Sequence, residues 1–281
     1  MESHDLLIFK QVAERQSVSK AAENLGYVQS NISQRIKSLE DELGAKLFVR
    51  NNRGVTLTDK GTTLLDYANR ILLLLDEAKS AFNPQKWRET LTIGAPQTIS
   101  AFKVPQLFSL FLKKHKNMDV KVRTSDKQSL QDMLYYGELD GLFVHGPYDE
   151  GRLESVYSYE QNIVLIAPEK WELETPYNQT LIVNSFTSCS YRDALLHYSE
   201  SNHFYDPTIL EFDTLESILQ AVQNGLGISI LPEDVLNSRK ELSPIECKKL
   251  SEGIKINFVV KQRKYQPHVL KKFISFLWES S

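Results

Sequence analysis

The fold is decided by the stretch Ser17–Leu43, SVSKAAENLGYVQSNISQRIKSLEDEL. Gly26 divides it into two helix-forming segments, Ser19–Leu25 and Gln29–Leu43, and either of the first two serines can cap the first helix. Apolar residues recur along the second segment at helical spacing, which predicts one buried face. That face comprises Ile32, Ile36, Leu39 and Leu43.

The opposite face of the second helix carries amides, hydroxyls and one cation. Such groups can hydrogen-bond to base edges and phosphates, and the major groove of DNA admits a helix of this size. Two short amphipathic helices also occur in small helical domains that bind no nucleic acid, so periodicity alone leaves both interpretations open. The sequence that follows favours a helix-turn-helix whose second helix reads DNA. The candidate DNA contacts on these helices are Ser19, Gln29, Ser30, Asn31, Ser33, Gln34, Arg35 and Lys37.

A hairpin is predicted directly after the second helix, in residues 45–58, AKLFVRNNRGVTLT. Two short apolar runs flank an Asn-Asn-Arg-Gly turn, and Asn and Gly tolerate the positive φ of tight turns. A hairpin beside a recognition helix forms a wing that can reach phosphates or the minor groove. Arg50 and Arg53 would project from this wing and complete the candidate DNA contacts.

The segment from Leu6 to Gly61 resembles the DNA-binding domain of LysR-type transcriptional regulators. The residues that carry this resemblance are Phe9, Val12, Ala13, Ser17, Val18, Ser19, Lys20, Ala21, Ala22, Leu25, Gln29, Ser30, Ser33, Ile36, Lys37, Leu39, Glu40, Leu43, Gly44, Leu47, Phe48, Arg50, Leu57, Thr58 and Gly61. The family often has proline after the first glutamine of the recognition helix, whereas this chain has Ser30 and Asn31. Both are good helix-start residues, so the departure is expected to alter base preference rather than fold.

A long helix is predicted after the wing, with Thr58 as its cap and Asp59 in its first turn. Small and apolar residues then alternate by four and three, which is typical of a seam between paired helices, although a core helix remains the alternative. Pairing would present two recognition helices to two half-sites of DNA with an interrupted dyad. The predicted dimerisation residues are Leu64, Ala68, Ile71, Leu75 and Ala78.

The remainder of the chain alternates strand and helix patterns, which predicts an α/β domain with parallel strands. It resembles, less closely, the bilobed periplasmic-binding-protein-like effector domain of LysR-type regulators, through residues 91–94 (LTIG), 137–140 (GELD) and 221–232 (AVQNGLGISILP). The resemblance implies chain crossings between the lobes near Glu154–Tyr159 and Ile256–Lys264.

The predicted fold is therefore α/β overall, with an N-terminal winged helix-turn-helix, a long dimerisation helix and a bilobed effector domain. The predicted boundaries are 1–58 for the winged helix, 59–82 for the long helix, 83–89 for a hinge and 90–281 for the effector domain. Within that domain we assign residues 90–159 and 265–281 to the first lobe, and residues 160–264 to the second lobe.

A ligand is expected where strands end and helices begin, because helix N-termini offer free N–H groups to an anion. The candidate effector contacts in these loops are Gln97, Thr98, Ile99, Ser125, His145, Ser188, Cys189, Ser190 and Phe212. Each hydroxyl can instead be a plain helix cap, and their convergence on one cleft is implied by the resemblance alone. The effector is expected to be a small molecule, with an organic anion as one candidate.

Composition limits the other functions. The 281 residues have a net charge of −3, no apolar run long enough to span a membrane, and an N-terminus without a signal-peptide pattern, so we expect a cytoplasmic protein. Two cysteines make neither a disulfide framework nor a zinc site, and a redox role for Cys189 is a weaker hypothesis. An enzyme or a simple solute-binding protein remains an alternative, but no phosphate loop, nucleophile elbow or metal motif occurs. We expect no catalytic residues, no metal and no cofactor.

Overall fold

A computed structural model describes residues 1–51, 54–83, 88–169, 171, 179–237, 245–262 and 266–280. It is an α/β protein with three parts in chain order: a winged helix-turn-helix, a long helix and a bilobed domain. Within the described ranges, no helix combines the length and apolar character needed to cross a membrane.

The winged helix-turn-helix, called the head below, is built on a small apolar core. Its elements are α1 (Ser3–Arg15), α2 (Val18–Leu25), α3 (Gln29–Leu43), β1 (Phe48–Asn51) and β2 (Gly54–Leu57). Ser17 caps α2 by accepting a hydrogen bond from the Lys20 amide, and Gly26 ends α2 with a φ of 71°. Phe9, Ile32 and Leu65 are buried together in the core.

One residue of the predicted apolar face of α3 was placed wrongly. Leu43 is 41% exposed because α3 ends there, whereas Glu40 is buried one turn earlier. The inward face therefore ends in a carboxylate rather than a leucine.

The long helix α4 (Asp59–Phe82) begins at the predicted cap, Thr58, whose hydroxyl accepts a hydrogen bond from the Gly61 amide. A Cβ at Gly61 would collide with the Leu47 carbonyl, so this glycine lets α4 cross closely over the start of the wing. The first half of α4 completes the core of the head. Leu64 and Ala68 are buried there, which corrects their assignment to a seam with a second copy.

The first lobe of the bilobed domain surrounds a five-stranded sheet. Its elements are β3 (Glu89–Gly94), α5 (Gln97–Lys114), β4 (Met118–Arg123), α6 (Lys127–Tyr136), β5 (Gly141–His145), β6 (Leu153–Gln161), β12 (Ile254–Lys261) and α10 (His268–Glu279). The strand order is β4-β3-β5-β12-β6. The pairs of β3 with β4 and β5 are parallel, whereas β12 runs antiparallel to β5 and β6.

The described part of the second lobe contains two small sheets. Its elements are β7 (Ile163–Pro168), β8 (Thr180–Asn184), α7 (Ser190–Ser201), β9 (Thr208–Phe212), α8 (Leu215–Gln223), β10 (Ser229–Pro232), α9 (Glu233–Asn237) and β11 (Ile245–Lys249). The pair β8-β9 is parallel, and β7 lies between β10 and β11 in an antiparallel sheet. The expectation of parallel strands alone was wrong, because an apolar strand has the same pattern in either direction.

The lobe boundaries also need correction. Strand β12 lies in the sheet of the first lobe, although the sequence assigned residues 160–264 to the second. The first predicted crossing lies within β6, and residues 256–261 of the second lie within β12, whereas the chain changes lobe at 161–163 and 250–254. Residues 263 and 264 of the second predicted crossing lie outside the described residues. Residues 84–87 of the predicted hinge lie outside the described residues.

Candidate nucleic-acid interface and ligand cleft

The outer face of α3 is polar and exposed at most of the predicted positions. Gln29, Ser30, Gln34 and Lys37 are exposed, while Asn31 and Ser33 are half-buried. Ser19 on α2 donates its hydroxyl hydrogen to Gln29 Oε1 at 3.0 Å, so Ser19 orients the carboxamide at the start of α3.

Arg35 lies in a different environment from the rest of the predicted set. Its Nη1 donates to Asp5 Oδ1 at 2.9 Å, and this ion pair ties α3 to α1. Hydrogen bonds from the Glu2 amide and from Arg35 outweigh partial burial and hold the pKa of Asp5 below its usual value. The guanidinium therefore has a structural partner, a role that the helical spacing of Arg35 could not reveal.

The wing and α3 enclose a groove, called the head groove below. Strands β1 and β2 pair antiparallel, with Asn51 opposite Gly54 at the tip. Arg50 is exposed on this hairpin, and Arg53 lies outside the described residues. The polar side chains that line the head groove are Ser33, Gln34, Lys37, Glu40, Lys46 and Arg50. Of these, Glu40 and Lys46 were not among the predicted contacts.

Buried Glu40 fixes the base of the head groove. Its carboxylate accepts hydrogen bonds from the Leu47 amide at 2.9 Å, the Phe48 amide at 3.4 Å and Lys46 Nζ at 2.7 Å. Burial raises the pKa of Glu40, but these hydrogen bonds together outweigh burial and lower it below its usual value. The charged carboxylate thereby attaches the first wing strand to the recognition helix.

A cleft of about 240 Å³ lies between the two lobes. The N-terminal ends of α5, α6 and α7 and the last residue of β5 meet at this cleft, as strand ends in open α/β sheets are expected to do. Its walls are largely apolar, from Ile182, Leu215, Ile218, Ile230 and Leu231. The predicted contacts that line it are Gln97, Thr98, Ser125, His145, Ser188 and Cys189.

Three predicted contacts lie elsewhere. Ile99 is 3% exposed in the core of the first lobe, because residues 97–99 form the first turn of α5 and Ile99 faces inward from it. Phe212 packs against the core beneath α8 and lines a separate surface depression. Ser190 does not line the cleft, but its Oγ lies 2.7 Å from His145 Nδ1 and so links the lobes.

A second hydrogen bond also joins the lobes directly. Gln97 Oε1, on the first lobe, accepts from the Leu215 amide at the start of α8, at 3.1 Å.

Burial, assisted by the charge of Lys127, lowers the pKa of His145 to about 4. His145 therefore bonds to Ser190 as a neutral imidazole near pH 7.

Several cleft residues were not among the candidate effector contacts. Lys127 contributes a cation, and burial lowers its pKa while the charge of Asp193 opposes that shift. Asp126 caps α6 by accepting from the Ser129 amide at 2.9 Å. Arg192 is held by the Asn184 carbonyl at 2.9 Å and by Glu211 at 2.7 Å. The sequence feature that could have identified Lys127 and Asp126 is their position beside Ser125, at a predicted strand-to-helix loop.

Tyr191 presents a buried hydroxyl to the cleft. Its side chain is among the cleft-lining residues, and Tyr191 is 3% exposed. Thr98 faces this hydroxyl from the first lobe. Within the described residues, however, the Tyr191 hydroxyl has no hydrogen-bond partner. Burial raises the pKa of Tyr191, so the hydroxyl is available as a donor to a ligand.

The two cysteines are free and differ in environment. Cys189 is half-buried at the start of α7, and burial raises its pKa despite nearby backbone N–H groups. Cys247 is exposed on β11. A raised thiol pKa disfavours the thiolate that redox sensing requires. Within the described part of the chain, no group of His, Cys, Asp and Glu could hold a metal ion.

Comparison with known families covers both parts of this architecture. The model described as "Bacterial regulatory helix-turn-helix protein, lysR family" matches residues 3–62, and the model described as "LysR substrate binding domain" matches residues 84–281. The chain belongs to the LysR family. LysR-family proteins are DNA-binding transcriptional regulators with an effector-binding domain, and the relatives of this chain are named as regulators rather than enzymes.

Individual relatives of this LysR-family regulator match over nearly its whole length. The "Uncharacterized HTH-type transcriptional regulator YusT" of Bacillus subtilis (strain 168) is 38% identical over 98% of this chain and 94% of its own. A full-length OxyR variant from Pseudomonas aeruginosa has a TM-score of 0.71 at 22% identity, over 99% of this chain and 94% of that one. Full-length CbnR in complex with its target DNA has a TM-score of 0.55 at 22% identity, over 100% of this chain and 99% of that one. These two likenesses show the fold.

Proposed function

We propose that this LysR-family regulator binds promoter DNA with α3 and the wing, as a homodimer or homotetramer, under control of a small molecule in the interlobe cleft. The observation that carries this proposal is the head groove, where the exposed side chains of Gln34 and Lys37 on α3 lie beside Arg50 of the wing. The likeness to CbnR, whose structure includes its target DNA, supports it. Action on promoter DNA implies a cytoplasmic location.

Residues of the head divide by role in this proposal. Gln29 and Gln34 read base edges, for which carboxamides are well suited, and Ser30, Asn31 and Ser33 supplement them. Lys37, Arg50 and Arg53 contact phosphates, which fixes the register of the head on the duplex. Ser19 and Arg35 position α3 through Gln29 and Asp5.

Pairing with a second copy is assigned to the outer face of α4. An apolar stripe is exposed there, comprising Tyr67, Leu74, Leu75, Ala78 and Phe82. Burying such a stripe against its symmetry mate would place two heads on the two half-sites of an interrupted dyad. Of the predicted seam, Leu75 and Ala78 stay in this set, while half-buried Ile71 packs against the head core.

The cleft is suited to a small organic anion. Lys127 supplies a positive charge, the N-terminal ends of α5, α6 and α7 supply N–H groups, and the Tyr191 hydroxyl supplies a donor. The apolar wall around Leu215 would take the hydrocarbon part of the ligand. We retain the proposed division at 1–58, 59–82, 83–89 and 90–281, with β12 moved to the first lobe.

A competition titration tests DNA reading. The wild-type protein is titrated with the DNA upstream of its own gene and with scrambled competitors, over a series of salt concentrations. We expect Gln34→Ala to lose roughly 1–3 kcal/mol of discrimination at one base position. Arg50→Ala should weaken binding to all sequences and lower the salt slope by about 1. Gln106→Ala, an exposed helical glutamine of the first lobe, is the matched control. Binding without salt dependence or sequence preference would contradict the proposal.

A further inference from the structure

Helix α6 reaches from the ligand cleft to the head. Its cap Asp126 and first residue Lys127 line the cleft together with Ser125. Its ten residues span about 15 Å and end at Tyr136, beside α1 and α4 of the head. One rigid element therefore touches both sites.

The C-terminal end of α6 is joined to α4 by a buried lysine. Lys261, on β12, is 8% exposed and donates to Asp66 Oδ1 of α4 at 2.6 Å. The same Nζ donates to the Tyr135 carbonyl in the last turn of α6 at 3.1 Å. A cation at this position is favourable because the last carbonyls of a helix carry partial negative charge. Lys261 thus ties α6 and α4 to one point. The contact among Lys261, Asp66 and Tyr135 is called the joint below.

Tyr136 connects this joint to the wing. Its hydroxyl accepts from Gln16 Nε2 at 3.2 Å, and its carbonyl accepts from Asn69 Nδ2 of α4 at 3.5 Å. Gln16 is the residue that ends α1, and its carbonyl accepts from the Val55 amide of the wing at 3.0 Å. The residue that anchors the wing backbone is therefore also held by the end of α6.

The joint borders a side chain, Asn69, whose hydrogen bonding is incomplete. Asn69 Oδ1 is buried without a hydrogen-bond partner in the described structure, and the bond from its Nδ2 is long. A Cβ at Gly137 would collide with the Asn69 side chain, so the two surfaces are in close contact there. Because separation would hydrate this oxygen, the docked arrangement competes with a released one.

We propose that α6 couples the cleft to the head, with Lys261 as the positioning residue of the joint. A molecule in the cleft that displaces the N-terminal end of α6 loosens the joint and frees the head and its wing to reorient on DNA. Binding of that molecule changes the equilibrium between the docked and the released joint by some factor. By linkage, release of the joint changes the affinity of the cleft for that molecule by the same factor. This inference rests on the proposed function of the cleft.

Hydrogen exchange on the full-length protein tests the joint without DNA or ligand. The reporters are the Glu138 amide, bonded to the Met133 carbonyl, and the Val55 amide, bonded to the Gln16 carbonyl. Asp66→Asn removes the charge from a half-exposed side chain and should raise exchange at both reporters at least fivefold. Asp132→Asn, an exposed carboxylate midway along α6, should leave both unchanged.

A second pair of variants tests the connection through α6. Ser125→Trp places a bulky side chain in the cleft and should raise exchange at the same two reporters at least threefold. Gln128→Trp, in the exposed first turn of α6 but outside the cleft, should not. Unchanged exchange in Asp66→Asn would overturn the joint, and unchanged exchange in Ser125→Trp would overturn the coupling. Neither result depends on DNA binding, which the competition titration tests separately.

Discussion

Two buried titratable side chains hold the candidate sites in shape, and they do so in opposite charge states. Glu40 is charged because Lys46 and two backbone amides bond its carboxylate, although burial alone would raise its pKa. His145 is neutral because burial and the charge of Lys127 lower its pKa to about 4. The wing thus depends on an anion, and the contact between the lobes depends on an uncharged imidazole.

His145 should make the folded protein less stable as the pH decreases. The unfolded chain takes up a proton near pH 6.5, but folded His145 does so only near its pKa of about 4. Its contribution is therefore complete above pH 6.5 and is lost as pH falls toward 4. We expect His145→Gln to lose about 2 kcal/mol less unfolding free energy than wild type between pH 7 and pH 5. Urea titrations at both pH values measure this difference.

The control for this comparison is His197→Gln, an exposed histidine of α7. It should follow the wild-type pH dependence. If His145→Gln also lost as much stability as wild type, the imidazole would not be held neutral in the fold.

Single residues were predictable where side-chain chemistry and spacing agreed. The exposed amides and lysine of α3 followed from its period, and Gln97, Thr98 and Ser125 followed from strand ends. Glu40 and Lys127 were missed, because a charged residue on an inward face or in a loop shows its role only through its partners. Ile99 was misplaced because residues 97–99 were predicted to form a loop, whereas they form the first turn of α5.

Among the helices, α4 has two apolar faces, one buried in the head and one exposed. Its first half buries Leu64 and Ala68 within its own head. Its outer face exposes Tyr67, Leu74 and Phe82, of which Phe82 is 93% exposed. Residues 71–75 are Ile-Leu-Leu-Leu-Leu, so the apolar pattern there runs around the helix. Such a run does not show which side of α4 faces the head. In the structure, the side that carries Leu64 and Ala68 does so.

A charge on each face of α4 should have different effects. Leu74→Glu, at a 49% exposed position, should leave the head folded and lower the assembly mass, because a carboxylate opposes apolar pairing. Ala68→Glu, at a fully buried position, should unfold the head, because a buried charge without a partner is strongly unfavourable. Light scattering reports mass and circular dichroism reports helix content. An unchanged mass in folded Leu74→Glu would remove this stripe from the dimer interface.

For the whole molecule, the cleft brings together groups that lie far apart in sequence. The first lobe contributes Thr98, Lys127 and His145, and the second contributes Tyr191 and Leu215. A ligand that touches both lobes should stabilise their contact, since binding to the folded state alone raises unfolding free energy.

Screening of small organic acids by thermal shift tests the cleft. At a concentration 100 times its Kd, an acid that binds only the folded protein should add about 2.7 kcal/mol of stability. Lys127→Met should reduce the shift for acids but not for their neutral amides, because it removes the cation. Lys121→Met, on the exposed edge strand β4, is the control. Equal shifts for acids in wild type and Lys127→Met would exclude Lys127 as the anion contact.

The order of the parts could be predicted at this scale, but the strand pairing could not. Alternating helix and strand patterns indicated an α/β domain, and the head followed from residues 17–58. The place of β12 depends on pairing with β5 and β6, which precede it by about a hundred residues. Short apolar strands carry no mark of such distant neighbours, so the lobe boundary was misplaced.

The position of β12 has a consequence for biosynthesis. This strand lies between β5 and β6, so the first lobe cannot close its sheet until residues 254–261 leave the ribosome. The head is made of residues near the start of the chain and can fold well before that moment. A prematurely terminated polypeptide would consequently retain its DNA-reading surface while lacking the domain that governs it.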